Sequence, residues 1–285
     1  MGSNYCMNKV EMKLVEHNVR VGQKCGNKTA NITEDSLFML DGEPVGFYIK
    51  SVNGKVSQLL GIANKEFKSD NVPKDKMRRS DVIQKYFKLK NTRKPKTHGE
   101  NTRIADKLGV TQMSTILGSV PSKPQMRRPY LSISSVHQNK KAKTFIKAMM
   151  MLCRESESLI KKHLPKIYKK QKQIISKNVA KEWQFSDMFT SSISNYNISA
   201  PYHRDTGNLK DTVNVIFSKR FDSIGGYLNI PDYDMTIECA DNSMICYPAW
   251  KNVHGVTPIH ANSNGGYRNS LIFYPLKGFN KQEAN

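Results

Sequence analysis

Pro201-Tyr202-His203-Arg204-Asp205-Thr206-Gly207-Asn208 is the stretch on which the fold turns. His203 and Asp205 are two apart, so in an extended segment their side chains leave the same face, and a neutral imidazole and a carboxylate can hold one ion between them. The surroundings read as strands. Alternating runs at 191–199, 212–217, 227–230, 235–239, 243–247 and 269–274 are broken by Gly225-Gly226, Pro231-Asp232-Tyr233-Asp234, Asp241-Asn242 and Gly265-Gly266, which is the punctuation of short antiparallel strands. Such strands, preceded by basic helices, predict an α+β chain: a two-sheet sandwich buttressed by helices.

An ion held this way needs a third protein ligand. Trp250-Lys251-Asn252-Val253-His254 supplies a histidine 49 residues after Asp205. His260 is the alternative, and the strand-like run that ends before His254 favours His254. Two histidines and one carboxylate on one face of an octahedral metal leave three positions open, the arrangement of non-haem Fe(II) oxygenases. Fourteen residues further on, Arg268 begins Arg268-Asn269-Ser270-Leu271-Ile272-Phe273-Tyr274, an otherwise apolar strand that carries a cation. A buried guanidinium requires a partner, and its fork matches a cosubstrate carboxylate. His-x-Asp alone is common; followed in order by this His and this Arg it is far more specific. His17, His98, His137 and His163 stand in basic or polar surroundings and are read as non-ligands.

Upstream, residues 1–66 hold short β-like runs around Asp41-Gly42 and Asn53-Gly54. These dipeptides favour the positive φ of hairpin turns and predict a small β-rich N-terminal region. Residues 67–135 are basic and punctuated by Pro73, Pro95, Pro121, Pro124 and Pro129, with one helix expected near 80–90. Residues 136–285 complete the chain with two helices and the sandwich. Phe145, Ile146, Met149, Leu152, Leu159 and Ile160 form an apolar stripe, Pro165 interrupts it, and Ile167, Ile174, Ile175 and Val179 mark a second helix. Met149-Met150-Met151 is read as core packing on that stripe.

The 285 residues carry 45 Lys plus Arg against 24 Asp plus Glu, a net charge of +21. The excess lies in residues 67–98 and 141–182, while 195–278 balances seven cations with seven acids. A neutral core with basic appendages suits a polyanion, because phosphates draw in Lys and Arg and release condensed counterions. Lys85, Lys88, Lys90, Arg93 and Lys94 are the candidates for phosphate contact. An apolar content of 38% with 24% charged residues excludes a wholly disordered or collagen-like chain. No window approaches 18 uninterrupted apolar residues, and the N-terminal residues have no apolar h-region, so neither a membrane-spanning nor a conventionally secreted protein is expected. Five cysteines without a CxxC pair read as reduced thiols, with Cys239 and Cys246 packed inside strands. The expected location is cytoplasmic or nucleoid-associated, or nuclear in a eukaryote.

Four features in order, His203-Arg204-Asp205 with Asn208, Gly225-Gly226 with Leu228, His254 followed by Thr257-Pro258, and Arg268-x-Ser270-Leu271-Ile272-Phe273-Tyr274, resemble the ten-eleven translocation and base J-binding protein branch of the 2-oxoglutarate and Fe(II)-dependent dioxygenases. The resemblance runs from about residue 191 to 280. It implies a double-stranded β-helix (jelly-roll) oxygenase core, with Fe(II) on His203, Asp205 and His254. It implies Arg268 and Ser270 on the distal carboxylate of 2-oxoglutarate, O2 as the other cosubstrate, and Asn208 and Tyr274 facing a pyrimidine of DNA that is flipped or single-stranded. The implied reaction is oxidation of the 5-methyl group, 5-methylcytosine to 5-hydroxymethylcytosine or thymine to 5-hydroxymethyluracil. The chain lacks the Cys-rich zinc region that flanks the core of the animal enzymes, and its first 130 residues carry no motif that can be placed. Two other readings stay open here. One is an oxygenase of a protein side chain or small molecule, since the iron and cosubstrate residues are common to all of them; the other is a non-enzymatic DNA-binding protein in which His203 and Asp205 are structural.

Overall fold

The computed structural model describes residues 7–78, 111–126, 128–263 and 265–279. In chain order the strands are β1 (Asn8–Glu11), β2 (Ser36–Leu40), β3 (Glu43–Ile49), β4 (Asp75–Arg78), β5 (Thr111–Val120), β6 (Ser132–Ile133), β7 (Ser191–Tyr196), β8 (Ala200–His203), β9 (Asn214–Phe221), β10 (Ser223–Gly225), β11 (Leu228–Ile230), β12 (Met235–Ile237), β13 (Ser243–Tyr247), β14 (His254–Val256), β15 (Ile259–Ala261) and β16 (Tyr267–Tyr274). The long helices are α1 (Gly54–Lys68), α2 (Lys143–His163) and α3 (Pro165–Asn178). A large sheet runs β1-β2-β3-β13-β9-β16-β7-β5-β4, and a smaller one runs β12-β11-β14-β8. Among the described strands only β1 and β2 pair in parallel.

The two-residue period of an extended chain divides each central strand between two cores. Val215 and Phe217 of β9, Met244 and Cys246 of β13, and Leu271 and Phe273 of β16 project to one face, where Leu60 and Phe67 of α1 and Phe145, Met149 and Leu152 of α2 cover them. Ile216, Ile245 and Tyr247 project to the other face and meet Leu228, Ile230, Met235 and Ile237 of the smaller sheet. The fold is thus a double-stranded β-helix, two sheets face to face with helices outside the larger one. Pro165 separates α2 from α3 as predicted and sits in the first turn of α3, where its missing N–H costs nothing.

Several expectations are corrected. The Asp41-Gly42 turn is present, with φ of 52° and 77°, but its hairpin is no separate region. Tyr48 of β3 lies opposite Ile245 of β13, so the hairpin extends the large sheet. Asn53-Gly54, read as a turn, instead leads into α1; Val56, Leu59, Leu60, Ala63 and Phe67 recur at helical spacing and bury one face, which outweighs the turn dipeptide. Met149 is buried while Met150 and Met151 are exposed, because consecutive helical residues point in different directions. Cys246 is buried within β13, whereas Cys239 is buried just beyond β12 in a left-handed conformation, φ 53°. The helix expected near 80–90, with Lys85, Lys88, Lys90, Arg93 and Lys94, lies outside the described residues. No described helix is long and apolar enough to cross a membrane.

Candidate metal centre and cavity

Antiparallel pairing of β8 with β14 sets His203 directly opposite His254, their ring centres 4.3 Å apart. Asp205 follows β8 and is anchored by its own N–H, which donates to the Ala249 carbonyl at 3.1 Å. His203 Nε2 stands 3.5 Å from Asp205 Oδ1, and ligand atoms of all three side chains lie within 4.8 Å of one another. Two ligands at right angles on a metal, each bonded at about 2.1 Å, stand about 3.0 Å apart, so small side-chain movements close the triad on an ion.

The outer partners prepare it. His203 Nδ1 lies 2.8 Å from the Pro201 carbonyl and His254 Nδ1 lies 3.0 Å from the Asn252 carbonyl. A carbonyl only accepts, so each ring carries its proton on Nδ1 and keeps the Nε2 lone pair free for a metal. Asp205 Oδ2 accepts from Asn214 Nδ2 at 2.8 Å, which leaves Oδ1 for the metal. Burial, and then the neighbouring His203, hold the His254 imidazole below its ordinary value, in the neutral form that a ligand needs. The Tyr247 ring meets His254 edge-on at 5.3 Å and fixes its tilt. His260, the alternative ligand, is exposed on β15, beside Asn27 at 3.4 Å, and does not join the triad.

The triad opens into a cavity of about 640 Å³ between the two sheets, within the range of small-molecule sites. Alternate residues of β16, namely Arg268, Ser270, Ile272 and Tyr274, line it. Arg268 is 2% exposed, its Nε finds no hydrogen-bond partner, and it forms no ion pair among the described residues. Its register partner on β9 is another cation, Arg220, whose Nη2 donates to the Gly225 carbonyl at 2.5 Å; burial, and then Arg268, lower the pKa of Arg220. Among the described residues neither guanidinium forms an ion pair. Ser270 Oγ donates to the Asn195 carbonyl at 3.3 Å. Gly226, at φ +65°, provides the passage for Arg268, since a Cβ there would stand 2.5 Å from Arg268 Cδ.

Asn208 and Tyr274 both line the cavity. Asn208 Nδ2 donates to Asn214 Oδ1 at 2.8 Å. Burial, and then the negative charge of Asp205, raise the pKa of Tyr274, so its hydroxyl stays protonated. Asn214 and Tyr247 were not singled out by sequence; Asn214 has a visible signal, an amide at a buried position of the apolar run 213–217. Lys123, Arg128 and Lys277 also line the cavity. The first two close a loop on each other through paired backbone hydrogen bonds of 2.5 and 3.1 Å. Residues 141–182, expected to meet phosphates, do not border the cavity. Helix α2 packs on the opposite face of the large sheet, and Lys166, Lys170 and Lys172 of α3 pair with Glu43, Asp211 and Asp187.

Fold and donor set together define a double-stranded β-helix protein with a two-histidine, one-carboxylate centre. Among solved structures, the chain is similar to NgTET1 in complex with 5mC DNA, at 11% identity and a TM-score of 0.56, covering 98% of this chain and 85% of that one. It is also similar to a full-length Neurospora crassa protein solved in complex with alpha-KG, at 11% identity, TM-score 0.40 and coverage of 80% and 74%. A third likeness is to an oxidoreductase of the 2OG-Fe(II) oxygenase family from Burkholderia pseudomallei, at 10% identity, TM-score 0.39 and coverage of 83% and 89%. No family model and no curated protein sequence matches the chain.

Proposed function

We propose that this chain is a 2-oxoglutarate- and Fe(II)-dependent dioxygenase that oxidises the 5-methyl group of a pyrimidine in DNA. One observation carries the reading: three ligand atoms freed by their outer partners converge at a cavity that also holds a buried guanidinium with no ion pair among the described residues. The donor set fits non-haem Fe(II), held by His203, Asp205 and His254. Arg268 and Ser270 fit the far carboxylate of 2-oxoglutarate, because a guanidinium fork and a hydroxyl are the partners a buried carboxylate needs. When bound, iron and 2-oxoglutarate would supply the hard chemistry with O2: one oxygen atom enters the substrate methyl as a hydroxyl and the other ends in succinate, with loss of carbon dioxide.

The protein's own residues bind, orient and keep water out. Ile193, Ile216, Leu228, Val256 and Ile272 give the cavity dry walls, which hold a C–H bond at a fixed place and protect the centre from side reactions. DNA as substrate is supported by the shared fold with NgTET1, a protein solved with 5mC DNA, and by Lys123, Arg128 and Lys277 on the cavity wall, suited to the phosphates beside a bound base. A stacked base cannot reach a centre between two sheets, so it enters flipped or from a single strand.

The test is to incubate the protein with Fe(II), 2-oxoglutarate, air and DNA containing 5-methylcytosine, then digest the DNA and weigh the nucleosides. A nucleoside heavier by one oxygen and a matching amount of succinate are expected. His203→Ala and Asp205→Ala should abolish both products while DNA binding changes only a few-fold. Absence of both products from the unaltered protein refutes the reading, and succinate without any altered nucleoside moves the substrate to a protein side chain or small molecule.

A further inference from the structure

We propose that the protein carries a second small-molecule site, bordered by the loop 248–252, and that this site takes a carboxylate with a short hydrocarbon body. It does not depend on which reaction the metal centre performs. The loop already serves that centre through its backbone: the Ala249 carbonyl accepts from the Asp205 N–H at 3.1 Å, and the Asn252 carbonyl lies 3.0 Å from His254 Nδ1. Side chains of the same loop border a separate cavity of about 220 Å³, which shares no lining residue with the one at the metal centre. Met12, Leu40, Val45, Ile167 and Val213 line it, where the β2–β3 hairpin and α3 meet the loop.

Two donors at this cavity lack an acceptor. Asn252 is 2% exposed and its Nδ2 makes no hydrogen bond, nor does the buried Nε1 of Trp250, and both residues line the cavity. A buried indole N–H or amide normally finds a partner. The indole can only donate, so the partner it lacks is an acceptor. Water fills that role poorly here, because it needs several polar partners and much of the wall is hydrocarbon. Charge selects the kind of acceptor. Lys170 and Asp211, also on the wall, answer each other at 2.9 Å. Met12, Leu40, Tyr233, Lys251 and Asn252 continue into an adjoining groove of about 560 Å³ that adds Lys13 and Arg204 against Asp41 and Asp232. Asp232 is engaged by His17 at 2.8 Å and by the Val253 N–H at 3.2 Å, whereas Lys251 forms no ion pair among the described residues. An anionic head is thus favoured over a cationic one. A carboxylate oxygen held by Trp250 and Asn252, with its tail among the aliphatic side chains, satisfies donors and walls together.

The experiment follows indole N–H resonances of the full chain, with Zn(II) and 2-oxoglutarate present so that an added acid does not compete for the metal. The chain has two tryptophans, Trp183 and Trp250, and Trp183→Phe assigns the pair. Hexanoate should move the Trp250 N–H downfield, saturating at about millimolar concentration, and leave Trp183 in place. Acetate and hexylammonium should not reproduce the shift. No saturable shift overturns the proposal; an equal shift with acetate reduces the site to a surface cation, and an equal shift with hexylammonium reduces it to a greasy hole, and either overturns it too. Val45→Phe fills the cavity while keeping the indole, so the hexanoate shift should be lost, and its persistence unchanged places the ligand elsewhere. Should that variant not fold, magnetisation transfer between the hexanoate chain and the Trp250 ring in the unaltered protein decides the matter: its presence supports the site, and transfer to other residues only refutes it.

Discussion

Arg268 owes its place to a neighbour without a side chain. Gly226 leaves the gap through which the guanidinium stem passes, and Gly225-Gly226, which reads from sequence as a turn, is therefore also a packing requirement. With no ion pair among the described residues, Arg268 is set to bind an anion, and its removal should act on cosubstrate affinity first. Arg268→Ala is expected to raise the KM for 2-oxoglutarate about ten- to a hundredfold with a smaller change in kcat, while Arg268→Lys recovers part of the loss, since an ammonium keeps the charge but not the fork. Steady-state rates at saturating DNA decide it; an unchanged KM would move the cosubstrate away from this strand. His203, Asp205, His254 and Arg268 were legible because their types and spacing are chemically uncommon together. Asn214 was not, because its importance comes from what it touches, Asp205 on one side and Asn208 on the other, and both contacts join parts of the chain that only the fold brings together.

At the scale of elements, β16 divides its side chains cleanly. Leu271 and Phe273 enter the core beneath the helices, and Arg268, Ser270, Ile272 and Tyr274 face the cavity. Phe273 is fully buried among Phe185, Phe189 and Phe217, with ring centres 6.0 to 6.3 Å away. Phe273→Ala should destabilise the fold by about 3–5 kcal/mol, because neighbours on a sheet cannot collapse into the space. Ile272→Ala, open to the cavity, should cost less than half as much; urea unfolding of both variants checks the contrast, and equal losses would mean that the cavity side is packed as tightly as the core. The strands of the sandwich were readable because this alternation is written directly in the chain. Helix α1 was missed although its apolar spacing was present, since Asn53-Gly54 drew the reading toward a turn. Strand β5 was missed for another reason: it lies in a basic, proline-punctuated stretch, and its membership of the sheet depends on pairing with β7, which follows it by some seventy residues in the chain.

At the scale of the whole molecule, the total charge was legible and its placement was not. The lysines of α2 stand on the far side of the large sheet from the cavity, whereas Lys123 and Lys277 border it. Which side of a sheet a helix covers is settled by tertiary packing, so no count of Lys and Arg could reveal this. Charge reversal separates the two sets. Lys123→Glu and Lys277→Glu should weaken DNA binding and flatten its salt dependence by about one unit of log–log slope for each phosphate that is no longer neutralised. Lys147→Glu and Lys161→Glu on α2 should do so much less. Anisotropy over a salt series makes the comparison, and equal effects would mean that DNA wraps around both faces.

The division of β16 also limits how the protein can change over time. Point substitutions can alter catalysis through one set of positions and stability through the other, each nearly independent of the other. A single inserted residue ahead of Arg268 has no such freedom. It would shift the phase of the strand, drive the guanidinium into hydrocarbon and present phenylalanine to the cavity, losing both properties at once. In β16 a change of length therefore costs more than a change of side chain at any one cavity-facing position.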